Sequence, residues 1–389
     1  MQQEITGREK AYVKALVKKI SEILGLWLFK GFLWFQSRPS IVKQALAEKH
    51  ITPSIATDEL PESGRPSKIR VAAVQMKLEL IKQNHARAYA ETIYRLTKEA
   101  VDQGAQLVVF PEDSGVPLVG LIPGLEELAA RGFDSAVQEV SGGETKIADV
   151  FRLLSPAVKR IYETTFSTLA RSFRVYIISG SVYLEDDDGK MRNIGYFFDP
   201  DGNIIAKQRK LHLLPLEADW GFEPGLELEV LDTRLGRIAF PICMDATYFE
   251  TFRIARLRGA DIVVIPAANN EEYLFWRTMR GIWPRVQESQ VLGVSAHAVG
   301  NLLGMPFTGK SGLLGPLELT QSEDGYFTQA DTFDEEEVVV GDLDLDALYQ
   351  FREENPLNFN VKLYEKYLPG LYEKGKKDRI QTNEVDRHK

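Results

Sequence analysis

The chain has 389 residues, enough for one large α/β body with appendages. Its 44% hydrophobic and 26% charged content is that of a soluble globular protein. A net charge of −9 argues against a general nucleic-acid binder, and a single cysteine excludes an intrachain disulfide. The charge is uneven: residues 1–50 hold 9 Lys/Arg against 4 Asp/Glu, a net of +5, which leaves −14 for the remainder.

Residues 8–35 read as a helix, with Tyr12, Leu16, Ile20, Ile23, Leu24 and Trp27 at helical spacing and Lys14, Lys18, Lys19 and Glu22 opposite. From Ile23 to Phe35 the chain is apolar nearly all round, too short to cross a bilayer and rich in the aromatics that suit its interface. Two readings follow: a basic head (1–50) lying on a membrane surface, or a helix packed on the body or on another subunit. Residues 51–67, rich in Pro, Ser and acids, read as a linker, and the body is expected over 68–353. There IRVAAVQM (69–76), QLVVF (106–110), RVYIISGSVY (174–183), NIGYFFD (193–199), RIAFPIC (237–243), DIVVIP (261–266) and VLGVSAHAV (291–299) read as strands. Helical stretches alternate with them, a long one over 272–290 included, so the body is an α/β fold. The apolar, glycine-rich stretch 114–156 reads as a lid, a substrate funnel or a structural hairpin, and 354–389 as a tail.

Three short segments stand at strand ends, where α/β folds gather ligands. They are VVFPED (108–113) with Glu112, RKLHLLPLE (209–217) with Lys210 and Glu217, and IAFPICMD (238–245) with Cys243. By itself a lone cysteine is a buried small hydrophobe, and a Glu or Lys after a strand is surface. Together the three suffice for acyl transfer without a metal. A carboxylate takes the thiol proton and later activates water, and an ammonium stabilises the oxyanion. Five scattered histidines give no zinc pattern.

These segments resemble the nitrilase superfamily of carbon-nitrogen hydrolases over roughly residues 68–353. The resemblance rests on F-P-E at Glu112, R-K-x-H-L at Lys210, Glu217 shortly after it, and I-C-x-D at Cys243. EPG (223–225), R-x-x-E in RVQES (285–289), TGKSG (308–312) and GDLDL (341–345) continue it. It implies a four-layer α-β-β-α sandwich, here with an N-terminal helical extension, and Glu112, Lys210, Cys243 and Glu217 as catalytic groups. Met244, Asp245, Thr247 and His212 fall in its oxyanion and substrate-binding positions. It implies no cofactor, a homodimer or higher oligomer, and a small-molecule amide substrate. The apolar stretch beside Glu112 points to a lipid-like one. After the cysteine the sequence departs from the amidase pattern, with Thr247 for Arg and Phe249 for Pro, and Met244-Asp245 is not the Trp-Glu of nitrile-cleaving members. Amides are therefore favoured. The rival readings are an N-acyltransferase with the same chemistry and a non-catalytic scaffold. The location expected is cytoplasmic, peripheral on the inner face of the membrane.

Overall fold

The computed structural model describes residues 25–58, 60–61, 65–125 and 146–370. Helices α1 (25–36) and α2 (Pro39–Ala47) precede β1 (Lys68–Leu78), α3 (His85–Asp102) and β2 (Leu107–Val109). Helix α4 (Ile147–Phe173) leads to β3 (Tyr176–Ile178), β4 (Val182–Glu185), β5 (Met191–Phe198) and β6 (Ile204–Arg209). A short α5 (Pro215–Asp219), β7 (Val230–Thr233) and β8 (Gly236–Ala239) follow, then α6 (Phe249–Leu257) and β9 (Ile262–Ala267). The chain continues with α7 (Phe275–Thr278), α8 (Ile282–Ser289), β10 (Leu292–Leu302), β11 (Met305–Phe307), β12 (Gly312–Leu314), β13 (Tyr326–Gln329), β14 (Glu337–Asp344) and α9 (Leu345–Glu354).

The layering follows from strand periodicity. On β1, Ile69, Val71 and Ala73 face one way and Ala72, Val74 and Met76 the other, and all are buried. The first set meets Ile238, Val264 and Val294 in a core between two sheets. The second packs with Tyr89 and Ile93 of α3 and Ile161 and Phe166 of α4. A third core sets Phe252 of α6 and Val286 of α8 against Ala239, Val263 and Ile265. These interfaces make the α-β-β-α sandwich that the resemblance implies.

One sheet runs β6-β5-β3/β4-β2-β1-β14 and the other β7-β8-β9-β10-β12-β13. They are joined where β1 changes partner. Lys68 to Gln75 pair antiparallel with β14, and Met76, Lys77 and Leu78 pair parallel with Ala298, Val299 and Gly300 of β10.

The structure differs from the expected elements in three places. The strand expected over 174–183 breaks at Ser179–Ser181. Gly180 there has φ +75°, and a Cβ on it would collide with the carbonyl of Pro111. The bend lets the backbone close on the residue that precedes Glu112. The helix expected over 272–290 is two, because Gly281 (φ −90°, ψ −131°) leaves the helical region. Pro284 then falls in the first turn of α8, where its missing N–H costs nothing. The expected division between head and body is also not a break. Leu33, Val42, Ala45 and Leu46 are buried, and Leu33, Val42 and Leu46 share the core of α3 and α4. The chain divides instead into Met1–Leu348 and Tyr349–Lys389, and in the second unit a helix (α10) covers 361–370. Residues 8–24 of the expected head helix, 126–145 of the expected lid and 371–389 of the tail lie outside the described residues. Among the described residues no helix is long and apolar enough to cross a membrane.

Candidate active site

The first candidate acid leaves β2 through Phe110 and Pro111, and Glu112 is buried. Its Oε1 accepts from Lys210 Nζ at 2.8 Å and from Asn193 Nδ2 at 2.9 Å, and its Oε2 accepts from the Ala268 N–H at 3.0 Å. Lys210 follows β6 with its side chain about 1% exposed, and its Nζ also lies 2.7 Å from Glu217 Oε2. Glu217 sits in α5. It accepts from the Tyr183 hydroxyl at 3.0 Å and from the Leu214 N–H at 2.8 Å. Two motifs that are distant in sequence, one with Glu112 and one with Lys210 and Glu217, thus form one buried ion network.

Cys243 opens a single 3₁₀ turn (Cys243–Thr247) after β8, in the left-handed region at φ +45°. A non-glycine residue there costs on the order of 1 kcal/mol, so the surroundings hold it. Part of that hold is Asp245, whose Oδ2 accepts from the Ile242 N–H at 2.8 Å. The Cys243 thiol stands within electrostatic reach of the Glu112 carboxylate, of the Lys210 ammonium and of the Ala268 N–H that Glu112 accepts from.

Burial raises the Glu112 pKa, with the Lys210 charge working against it. Burial and then the Glu112 charge push the Cys243 thiol well above its usual value. Burial acts to lower Lys210, but the carboxylates of Glu112 and Glu217 beside it hold it well above its usual value, as an ammonium. The resting centre thus sets a thiol beside a carboxylate and an ammonium, with no preformed thiolate. Such a centre can pass a proton from sulfur to carboxylate as an electrophilic carbon arrives.

Two of the expected substrate-binding residues are elsewhere. Asp245 has no exposed surface, and its Oδ1 accepts from the His212 N–H at 2.7 Å and the Leu211 N–H at 3.1 Å. His212 places Nδ1 2.9 Å from the same oxygen and its ring 4.4 Å from that of Tyr248. This pair ties the lysine loop to the cysteine turn and does not line a chamber. Met244 and Thr247 do line one, together with Cys243.

Two chambers meet at the site. One has Glu112, Lys210 and Glu217 at its polar end and apolar walls that include Val119, Leu125, Phe151, Trp220 and Phe307. The other holds Cys243 among polar groups such as Asn269, Arg277 and Lys310. Leu214, Ala268 and Asn270 border both. Sequence reasoning missed Asn193, Tyr183 and the Ala268 N–H. Nothing in NIGYFF marks Asn193 as a partner of Glu112, and a backbone donor leaves no trace in residue type. Among the described residues no cluster of His, Cys, Asp or Glu could hold a metal ion.

Comparison with known proteins gives the family of the chain. The carbon-nitrogen hydrolase family profile matches residues 70–353. A nitrilase of Pyrococcus abyssi is 33% identical over 281 residues, 71% of this chain and 90% of that protein. YhcX of Bacillus subtilis, named as a probable hydrolase, is 28% identical over 90% of this chain, which spans 66% of YhcX. Among solved structures, an amidase of Nesterenkonia sp. AN1 bears the acetamide moiety of fluoroacetamide on its active site cysteine. It covers 79% of this chain and 98% of its own at TM-score 0.55 and 19% identity, a likeness of fold. The chain belongs to the carbon-nitrogen hydrolase family of the nitrilase superfamily and is a carbon-nitrogen hydrolase.

Proposed function

We propose that the protein hydrolyses a non-peptide amide bond through a thioester on Cys243, in a substrate with a sizeable apolar part. The observation that carries this reading is the buried Glu112 carboxylate, bonded by Lys210 at 2.8 Å and by the Ala268 N–H at 3.0 Å beside the Cys243 thiol, at the polar end of an apolar chamber. In the first half-reaction the thiol proton passes to Glu112 as sulfur attacks the carbonyl carbon. Lys210 offsets the oxyanion charge, as a preorganised cation does in a water-poor site. The C–N bond breaks, Glu112 returns the proton to nitrogen, and the amine leaves. Water then gives a proton to Glu112 and attacks the thioester, and the thiolate leaves and is reprotonated. Glu217 holds Lys210 in place through the 2.7 Å contact.

The exposed Tyr248, Phe249, Ile254 and Leu257, at the start of α6 and along it, support a homo-oligomer formed next to the cysteine turn. The test sets long-chain acyl amides against short polar amides and follows free acid, amine and the intact mass of the protein. A preference for the long acyl chain, with an acyl adduct on Cys243, is expected. Better turnover of short polar amides would overturn the substrate reading. Transfer of the acyl group to an added amine in place of water would make the protein an N-acyltransferase.

A further inference from the structure

Helix α1 has two faces of opposite character. Phe29, Phe32 and Leu33 pack on the body, and Ser37 is buried just beyond them. The other face carries Trp27, Leu28, Trp34 and Phe35, which are 74%, 76%, 60% and 52% exposed. Residues 27 and 34, like 28 and 35, are two helical turns apart, so the four side chains form one stripe. Two Trp and a Phe side by side are not ordinary surface, and exposed apolar patches of this kind mark an interaction site.

Basic groups border the stripe. Lys30 is exposed, and the Arg38 guanidinium stands 3.9 Å from the centre of the Phe35 ring. A groove between α1 and α4 is lined by Lys30, Leu33, Trp34, Arg152, Pro156 and Arg160. Arg152 is matched there by Asp149 at 2.6 Å and Glu185 at 3.2 Å. Arg160 is not: its Nε and one terminal nitrogen donate to the Ser37 hydroxyl at 3.1 and 2.8 Å, and among the described residues no carboxylate meets it. Asp149 and Glu185 line the groove too, so Lys30, Arg152 and Arg160 against these two carboxylates leave a net charge of +1, and Arg160 has no ion-pair partner among the described residues.

We propose that this face docks the protein on an anionic membrane surface, with the aromatic stripe in the headgroup zone and a lipid phosphate between Lys30 and Arg160. Trp and Phe on one helix face with Lys and Arg at its border is the composition of an interfacial helix. Lys14, Lys18 and Lys19 add positive charge to the preceding sequence. Because the opposite face of α1 is built into the body, the helix lies along the surface and does not enter it end-on. The first turns of α4 then stand between lipid and site. Arg152, Leu153 and Pro156 face the groove, and Val150, Phe151 and Leu154 face the apolar chamber. The docking itself does not depend on the proposed substrate.

Removing the head would uncover the core faces of α3 and α4 on which Leu33, Val42 and Leu46 pack, so the test uses surface substitutions. Full-length protein is sedimented with phosphatidylcholine vesicles, with and without phosphatidylserine, at low and high salt. Binding to the anionic vesicles alone, weakened by salt, is expected. A combined Trp27→Ser, Leu28→Ser, Trp34→Ser and Phe35→Ser variant should bind at least about tenfold more weakly. Lys30→Glu should lose the preference for phosphatidylserine. Both should hydrolyse a water-soluble amide like the parent. No vesicle binding, or equal binding by the four-residue variant, would overturn the proposal. So would a parent oligomer that the variant splits, which assigns the stripe to a second copy. Competition by inorganic phosphate, with no effect of the stripe, would assign the groove to a soluble anion.

Discussion

Asp245 accepts a hydrogen bond from the backbone N–H of His212 at 2.7 Å, and its second oxygen caps Ile242 at 2.8 Å. A single buried carboxylate therefore fixes where the lysine loop stands relative to the cysteine turn. Asp245→Ala would leave the N–H groups of Leu211, His212 and Ile242 without their acceptor. It should lower stability by on the order of 3 kcal/mol. Turnover should fall through lost alignment although Asp245 touches no substrate, and Asp245→Asn should recover part of both. Thermal melts and kcat measured together check this, and an unchanged melting temperature would rule out the tie.

Lys210→Met should reduce kcat by on the order of a hundredfold or more, as removal of one oxyanion donor does elsewhere. It also takes away the charge that works against burial at Glu112. The Glu112 pKa then rises further, so the residual activity should need a higher pH to appear. A pH–rate profile that keeps its acid limb in place after the substitution would contradict this coupling.

Cys243→Ala should abolish turnover, and its alkylation should report the charge beside it. Burial and then Glu112 raise the thiol pKa. Labelling by iodoacetamide should therefore be slow at neutral pH and climb with pH beyond the range of a free thiol. Glu112→Gln removes a charge that raises the pKa, so labelling at pH 8 should quicken while hydrolysis is lost. Opposite signs from one substitution separate a base from a merely structural glutamate. A fall in both would contradict the assignment.

His297, which lines the Cys243 chamber, gives a pH effect on stability. Burial pushes its pKa from 6.5 down to about 4, and its Nε2 lies 2.7 Å from the Ser295 hydroxyl. Below about pH 6.5 the unfolded chain takes a proton that the folded chain refuses until about pH 4. Stability should therefore fall as pH drops through that window. His297→Gln should flatten this part of the curve. Urea midpoints at closely spaced pH values are the measurement, and identical slopes for the two proteins would dismiss the histidine.

Glu112, Lys210 and Cys243 were legible because each follows within a few residues a strand that hydrophobic patterning locates, and Glu217, in α5, because it closes the motif that holds Lys210. Their spacing in the chain carries the family likeness. Asp245 and His212 stand in the same motifs but serve the backbone, and a motif does not say which way a side chain turns. The breaks at Gly180 and Gly281 escaped reading because a glycine inside an apolar run marks a weak point without saying whether the chain bends there. For the head, the sequence leaves two readings open, a helix on a membrane or one packed on the body. Composition shows that a segment is basic and apolar, but only packing shows that Leu33 and Leu46 lie in the core.

The change of partner along β1 works as a clasp between the two halves of the reaction centre. Glu112 is carried by the sheet that holds β2, and Cys243 by the sheet that holds β8. Between them the hydrogen-bonded relay runs β2-β1-β10-β9-β8 and passes through only three residue pairs, Met76 with Ala298, Lys77 with Val299 and Leu78 with Gly300. A slip of two residues at that clasp would translate one sheet by about 7 Å against the other. The carboxyl would then stand more than a full hydrogen-bond length away from the sulfur it must relieve of its proton. The reactivity of the cysteine is thus gauged by strand register in a short stretch that contains none of the reacting atoms.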